Sequence, residues 1–251
     1  MKKILFVWSA FACAMLFTSC ENSKMKISPS HITLQFEDEV GLTVIDNHSD
    51  VSWSTDNEFV ASVDNNGIVT AEHVGTTTIT AKDGKDEAYC SVSVTPEYYT
   101  YNEPIMDWGC SKQTIISKKG TPDSNQSDVI AYIQSENKGI VEMYKFEYGK
   151  LVMSYAVLPL NFANTDVANF LIERYLPVTM TDSGAYGFIN AMTLEEATLA
   201  VALMIEDTAI IVGYAPFDVN DSNMPARCPA RNSNNQDKEL IKQIYNQLLN
   251  K

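Results

Sequence analysis

The chain has 251 residues, and its 32 acidic side chains outnumber 18 basic ones, which gives a net charge of −14. A surface this acidic repels the phosphates of nucleic acids and of anionic lipid headgroups, so we expect neither as a partner. The five cysteines include no Cys-x-x-Cys pair, which argues against a zinc site.

The first twenty residues have the order of a secretory signal. Basic residues at positions 2 and 3 precede an apolar run over 4–17 that is too short to span a bilayer stably, and small polar residues follow. The stretch Phe17-Thr18-Ser19-Cys20 resembles the lipobox of bacterial lipoproteins, in which the cysteine is acylated and becomes the new N-terminus. The resemblance implies a signal peptide at 1–19, a palmitate-type lipid on Cys20, a tether over 20–24 and an anchor in the cell envelope, in the outer membrane. The alternative is an ordinary signal peptide with an accidental cysteine.

Residues 25–96 alternate apolar and polar side chains in short runs, which is typical of β-strands with one buried face. Asp64-Asn65-Asn66-Gly67 is a turn sequence in which Asn and Gly tolerate positive φ. Short strands at regular spacing around one tryptophan, Trp53, predict an antiparallel sandwich of about seven strands.

Four stretches of this segment resemble the bacterial Ig-like group 2 domain family: Val51–Thr55, Val60–Val63, Gly67–Ala71 and Gly75–Ala81. The resemblance implies that Trp53 fills the core between two sheets and that Gly67 closes a hairpin. Members of the family serve mostly as spacers or adhesive modules on bacterial surfaces, so the resemblance implies a fold more than an activity.

Residues 97–104 are interpreted as a linker. It carries Tyr98, Tyr99 and Tyr101, which either form an adhesive surface or are buried between two domains. Burial is the favoured interpretation, because a linker wedged between two domains covers its aromatic rings.

Residues 105–251 are predicted to form an α+β domain in which the order α-β-β-β occurs twice and helices cover one face of an antiparallel sheet. The predicted elements are a helix over 111–119, a strand with Tyr132, strands over 140–148 and 151–158, a helix over 164–175, a strand with Tyr186 and Phe188, and strands over 198–205 and 209–215. This tandem order resembles the fold of small outer-membrane assembly lipoproteins and β-lactamase inhibitor proteins, on Trp108-Gly109, Gly120-Thr121-Pro122 and Gly149-Lys150-Leu151. The resemblance implies a domain that holds other proteins on its sheet face.

Two segments of this domain admit two interpretations. Thr193-Leu194-Glu195-Glu196 is a capping box that predicts a helix over the following residues, whereas the β-branched side chains and the mirrored hairpin favour a strand. The strand is the interpretation adopted. The final helix has one apolar stripe, which packs on its own domain or binds a partner, with the first favoured: Leu240, Ile241, Ile244, Tyr245, Leu248 and Leu249.

An aromatic surface is the binding site that the sequence suggests. Strand parity places Tyr144, Phe146 and Tyr148 on one side of a strand, where they either face a protein or glycan partner or form the core beneath the helices. Aromatic rings of this kind are enriched in binding surfaces.

Catalysis has weaker support in the sequence. All three histidines, His31, His48 and His73, precede the second domain, so that domain lacks the partner of a Ser-His or Cys-His nucleophile. We expect no catalytic residue, metal or cofactor. The principal hypothesis is a lipid-anchored Ig-like spacer that presents a binding domain. The alternatives are a hydrolase that uses Glu195, Glu196, Glu206 and Asp207 on glycan or peptide, and a structural scaffold of an outer-membrane complex.

The cysteines of the mature chain allow one disulfide. Cys90 is expected to be a buried thiol, and Cys110 with Cys228 is the pairing that the sequence leaves open.

Overall fold

The computed structural model describes residues 24–47, 49–84, 86–134, 139–162, 164–178, 185–220 and 235–249. The predicted signal, the lipobox, Cys20 and Cys228 lie outside these residues, so the anchor and the Cys110–Cys228 pairing stay predictions.

The N-terminal segment is an Ig-like β-sandwich. Its described residues form nine strands: β1 Lys26–Ser28, β2 His31–Leu34, β3 Glu39–Gly41, β4 Thr43–Ile45, β5 Ser52–Thr55, β6 Ala61–Val63, β7 Ile68–Ala71, β8 Gly75–Asp83 and β9 Asp86–Val94. A four-stranded sheet has the order β2-β9-β8-β5, and β3-β7-β6 and β1-β4 form two smaller sheets. The sandwich was predicted with about seven strands, all antiparallel, whereas β2 and β9 pair in parallel.

The core of the sandwich includes the inward side chains of β7, β8 and β9, together with buried residues of β1, β2 and β6. Ile79 and Cys90 face each other across the β8–β9 pair and are fully buried. The predicted buried thiol of Cys90 is confirmed, and burial raises the pKa of this thiol. Trp53 is half-buried and packs against this core at its edge, so it does not fill the centre as predicted.

The second domain is a single antiparallel sheet with helices. Its elements are α1 Lys112–Lys119, β10 Ser124–Asn125, β11 Val129–Ile133, β12 Val141–Glu147, β13 Lys150–Pro159, α2 Asn164–Ile172, β14 Leu176–Val178, β15 Tyr186–Ile189, β16 Leu199–Ile205, β17 Ala209–Pro216 and α3 Asn235–Leu249. The eight strands have the order β10-β11-β12-β13-β17-β16-β15-β14. The two halves therefore mirror each other across the β13–β17 pair, and each contains the predicted helix and three strands plus a short strand at the sheet edge.

The ambiguous segment before residue 205 is strand β16, as adopted from the sequence. The side-chain oxygen of Asn190 accepts hydrogen bonds of 2.9 Å from the backbone N–H groups of Thr198 and Leu199. Pairing with β15 and β17 then satisfies the backbone of residues 199–205. Tertiary pairing thus overrides the local capping box.

Helices cover both faces of the sheet, so the prediction of one open face is wrong. On one face, the α3 side chains Ile241, Ile244, Tyr245 and Leu248 are buried in one cluster with residues of β11, β12, β13, β16 and β17. α1 and α2 cover the opposite face. The apolar stripe of α3 therefore packs on its own domain, which was the favoured interpretation. Among the described residues, no helix is long and apolar enough to cross a membrane.

Candidate functional site

The aromatic surface predicted from the sequence does not exist as one patch. Tyr144 and Phe146 are buried in a cluster with Ile115 of α1, whereas Tyr148 is fully exposed. The register of β12 shifts between Lys145 and Phe146, and Tyr148 has a φ of 50°, in a turn outside the strand. Strand parity therefore does not extend to Tyr148, and the prediction of a shared binding face is wrong.

The four carboxylates considered for hydrolysis divide between the two ends of β16. Glu195 and Glu196 precede the strand, and Glu206 and Asp207 follow it. Seven residues of extended strand span roughly 20 Å, beyond the roughly 5–9.5 Å that separates the two carboxyl groups of glycosidases. Glu206 also pairs with Lys242 of α3 at 2.9 Å. No pair drawn from opposite ends of β16 can act on one glycosidic bond.

A buried carboxylate joins the two domains. Glu173 follows α2 directly and is only 1% exposed. Its carboxylate accepts hydrogen bonds from the backbone N–H groups of Glu97 at 2.9 Å and Tyr98 at 3.2 Å, both in the linker. Its backbone carbonyl accepts a hydrogen bond of 2.7 Å from the N–H of Val74 in the sandwich. A carboxylate near a helix C-terminus opposes the helix dipole, so the role of Glu173 lies in these contacts and not in helix stability.

Arg174 neutralises Glu173 and holds the linker. The guanidinium pairs with the Glu173 carboxylate and lies 3.7 Å from the centroid of the Phe170 ring. It donates hydrogen bonds to the backbone carbonyls of Phe170 at 3.0 Å and Tyr98 at 3.2 Å. The pairing and hydrogen bonds offset the cost of burying both charges.

His73 packs at the same junction from the side of the sandwich. Its ring stacks on Phe59 with centroids 4.0 Å apart, and Nδ1 lies 2.8 Å from the Phe59 carbonyl oxygen. Burial lowers the pKa of His73, although the backbones of Phe59 and Tyr175 and the charge of Glu72 act in the opposite direction.

Three tyrosines form a buried polar cluster behind the linker. The hydroxyls of Tyr101 and Tyr214 lie 2.5 Å apart, and the Tyr175 hydroxyl donates a hydrogen bond of 2.6 Å to the Glu103 carboxylate. The rings of Tyr175 and Tyr214 meet edge to face at 6.4 Å. Burial is the main cause that raises the pKa of all three phenols. Either hydroxyl of the Tyr101–Tyr214 pair can be the donor.

A cleft of about 380 Å³ opens beside this cluster, between the linker and α2. We call it the junction cleft, and it is lined by Tyr99, Tyr101, Asn102, Glu103, Phe170 and Arg174. Its volume lies within the roughly 300–1,000 Å³ of small-molecule sites. The Asn102 carbonyl accepts a hydrogen bond of 2.8 Å from the Gln134 side chain of the sheet domain, which fixes the linker at the cleft.

The sequence analysis predicted part of this site correctly. The favoured burial of the linker tyrosines is correct for Tyr101, at 6% exposure, and wrong for Tyr99, at 74%. Glu103 and Arg174 were missed. The available indication was an acidic residue at the end of α2, Glu173, where the helix dipole disfavours it.

Comparison with known proteins places the first domain in a family. Residues 23–92 match the family model of the bacterial Ig-like domain (group 2), which confirms the predicted Ig-like segment. No curated protein matches the chain.

Solved structures resemble the chain only distantly. A crystal structure of an EHEC O157:H7 intimin mutant has 17% identity and a TM-score of 0.24, with 48% of this chain and 78% of that chain covered. The intimin–Tir90 complex has 15% identity and a TM-score of 0.27, with 51% and 90% covered. Domains 4–9 of the surface layer protein SbsC have 13% identity and a TM-score of 0.25, with 79% and 27% covered. TM-scores this low support no argument about function.

Proposed function

We propose that the chain is a non-catalytic lipoprotein of the cell envelope in which an Ig-like spacer presents the α+β domain for binding a protein or glycan partner. The observation that carries the proposal is the junction at Glu173. One residue bonds to the sandwich through Val74 and to the linker through Glu97 and Tyr98. Such a junction suits a spacer, because it holds the binding domain at a fixed orientation to whatever the N-terminus is attached to.

The position of the sandwich supports the anchor. β1 begins at Lys26, so residues 21–25 would link a lipid on Cys20 to the first strand. A tether this short would keep the sandwich near the membrane surface.

The anchor is tested by Cys20→Ala in the full chain expressed in a Gram-negative bacterium. The wild type is expected in the membrane fraction and the variant in the soluble fraction, because the variant has no thiol to acylate. Cys13→Ala, a cysteine in the same N-terminal segment, is the matched control and stays with the membranes. Membrane retention of Cys20→Ala equal to that of the control contradicts the anchor.

The binding role is tested by retention of envelope components on the immobilised full chain. We expect a protein or glycan to be retained by the wild type and lost with Tyr99→Ala, which changes an exposed residue of the junction cleft. Equal retention by the two proteins, or retention of nothing, contradicts this role for the cleft.

A further inference from the structure

We infer that the junction cleft binds the end of an uncharged glycan chain. This inference rests on the proposed binding function and names its ligand class. It follows from the charges in the cleft, from its exposed ring and from the backbone around it.

The charges in the cleft disfavour an acidic glycan. The Glu103 carboxylate and the Arg174 guanidinium both line the cleft. The Arg174 guanidinium is already paired with the buried Glu173, so Glu103 is the unbalanced charge of the cleft, and an anion placed there meets it. A neutral glycan avoids this repulsion, because its hydroxyl groups donate hydrogen bonds to the Glu103 carboxylate.

The exposed ring and the amide fit a sugar. Tyr99 is 74% exposed at the rim, although it is a large aromatic side chain next to a buried cluster. The face of such a ring covers the apolar C–H face of a pyranose, and the rim of the sugar carries hydroxyl groups. The amide of Asn102, exposed in the same cleft, offers both a donor and an acceptor to those hydroxyls.

The backbone around the cleft disfavours an extended peptide. Peptides bind by adding a strand to a sheet edge or by seating apolar side chains in a groove. The residues lining the junction cleft come from the linker, from α2 and from the turn that follows α2, and none belongs to a strand. The apolar rings of Tyr101 and Phe170 in its wall are 6% and 1% exposed, which leaves little apolar surface for a peptide side chain.

The test is calorimetric titration of the purified full chain in detergent with three neutral probes: maltohexaose, mannohexaose and the hexamer of N-acetylglucosamine. Hexalysine and oligogalacturonate serve as cationic and anionic probes of similar length. Tyr99→Ala and Tyr99→Phe are the cleft variants. Tyr148→Ala is the matched control, because Tyr148 is also an exposed tyrosine and lies on the β12–β13 turn, outside the cleft.

We expect at least one neutral probe to bind, Tyr99→Ala to weaken its binding about tenfold or more, and both Tyr99→Phe and Tyr148→Ala to bind as the wild type. The inference is overturned if all neutral probes fail to bind, if a charged probe binds in their place, or if Tyr99→Ala and Tyr148→Ala bind equally. A protein partner retained from the envelope without sugar binding would overturn this inference and leave the proposed function standing. Failure of Cys20→Ala to leave the membrane affects the anchor alone.

Discussion

The backbone N–H of Val74 donates a hydrogen bond of 2.7 Å to the backbone carbonyl of Glu173. Val74 lies between β7 and β8 of the sandwich, and Glu173 follows α2 of the second domain. The same glutamate accepts two linker N–H groups through its carboxylate. Glu173 therefore contacts the sandwich through its backbone and holds the linker through a buried charge, and the contribution of that charge to stability can be measured.

Glu173→Gln is expected to destabilise the protein by about 3 kcal/mol, because the amide leaves Arg174 without its partner charge and turns a donor toward other donors. Glu97→Gln is the matched control. Glu97 is exposed and contributes its backbone N–H, which the substitution keeps. Urea unfolding measures the stability, and limited proteolysis of residues 96–104 reports on the linker. Equal unfolding midpoints and equal cleavage for the two variants would show that the carboxylate has no structural role.

Because His73 is buried, we expect the stability of the folded protein to fall on mild acidification. Burial lowers the pKa of the folded His73 below 6.5, so the unfolded chain binds the proton first as the pH falls. The contribution of the neutral ring is therefore complete above the unfolded pKa and is lost as the pH falls through it, toward the folded pKa. Unfolding free energies measured between about pH 7.5 and pH 5 should decrease for the wild type.

His73→Gln should reduce this slope, while His31→Gln, at an exposed position, should keep it. If the unfolding free energy of His73→Gln depends on pH as it does in the wild type, other groups cause the acid sensitivity.

Local patterns in the sequence were sufficient for most elements of the fold. Alternation and turn residues located the sandwich, and the order of helices and strands located the mirrored halves of the second domain. The strand adopted for residues 198–205 is correct although the capping box favoured a helix, whereas the predicted shared face of Tyr144, Phe146 and Tyr148 is wrong. The capping box at 193–196 is overridden by Asn190 and by pairing with β15 and β17, and Tyr148 leaves the strand parity because of its positive φ.

The candidate site was less predictable than the fold. The junction cleft combines Tyr99 and Glu103 of the linker with Phe170 and Arg174, which are distant in sequence. No periodicity connects such residues, because a linker has no regular spacing. The open sheet face was likewise wrong, since the docking face of α3 depends on packing across the whole sheet.

We expect substitution by alanine to cost different amounts of stability at Gly67 and at Gly84. Both have positive φ, of 78° and 55°. A Cβ on Gly67 would lie 2.6 Å from Cζ2 of Trp53, whereas a Cβ on Gly84 would meet no atom of the described residues within 4 Å. Gly84→Ala should therefore cost about 1 kcal/mol for the backbone alone. Gly67→Ala should cost about 3 kcal/mol, because overpacking against Trp53 adds to it. Thermal unfolding checks both, and equal losses would show that the indole moves aside freely.

Replacing tyrosine with phenylalanine should have opposite effects on stability at two buried positions. The hydroxyl of Tyr245 on α3 is buried and has no hydrogen-bond partner among the described residues, and burial raises the pKa of Tyr245 to about 12. Tyr245→Phe removes an unsatisfied polar atom and keeps the ring, so it should stabilise the protein by about 1 kcal/mol. Tyr175→Phe removes the donor to Glu103 at 2.6 Å and should destabilise it by about 2 kcal/mol, since hydrogen bonds to a charged group are the stronger ones. Urea unfolding of the two variants beside the wild type gives both signs in one experiment. A loss of stability in Tyr245→Phe would mean that its hydroxyl is hydrogen-bonded in solution, and an unchanged Tyr175→Phe would mean that Glu103 is equally well solvated by water.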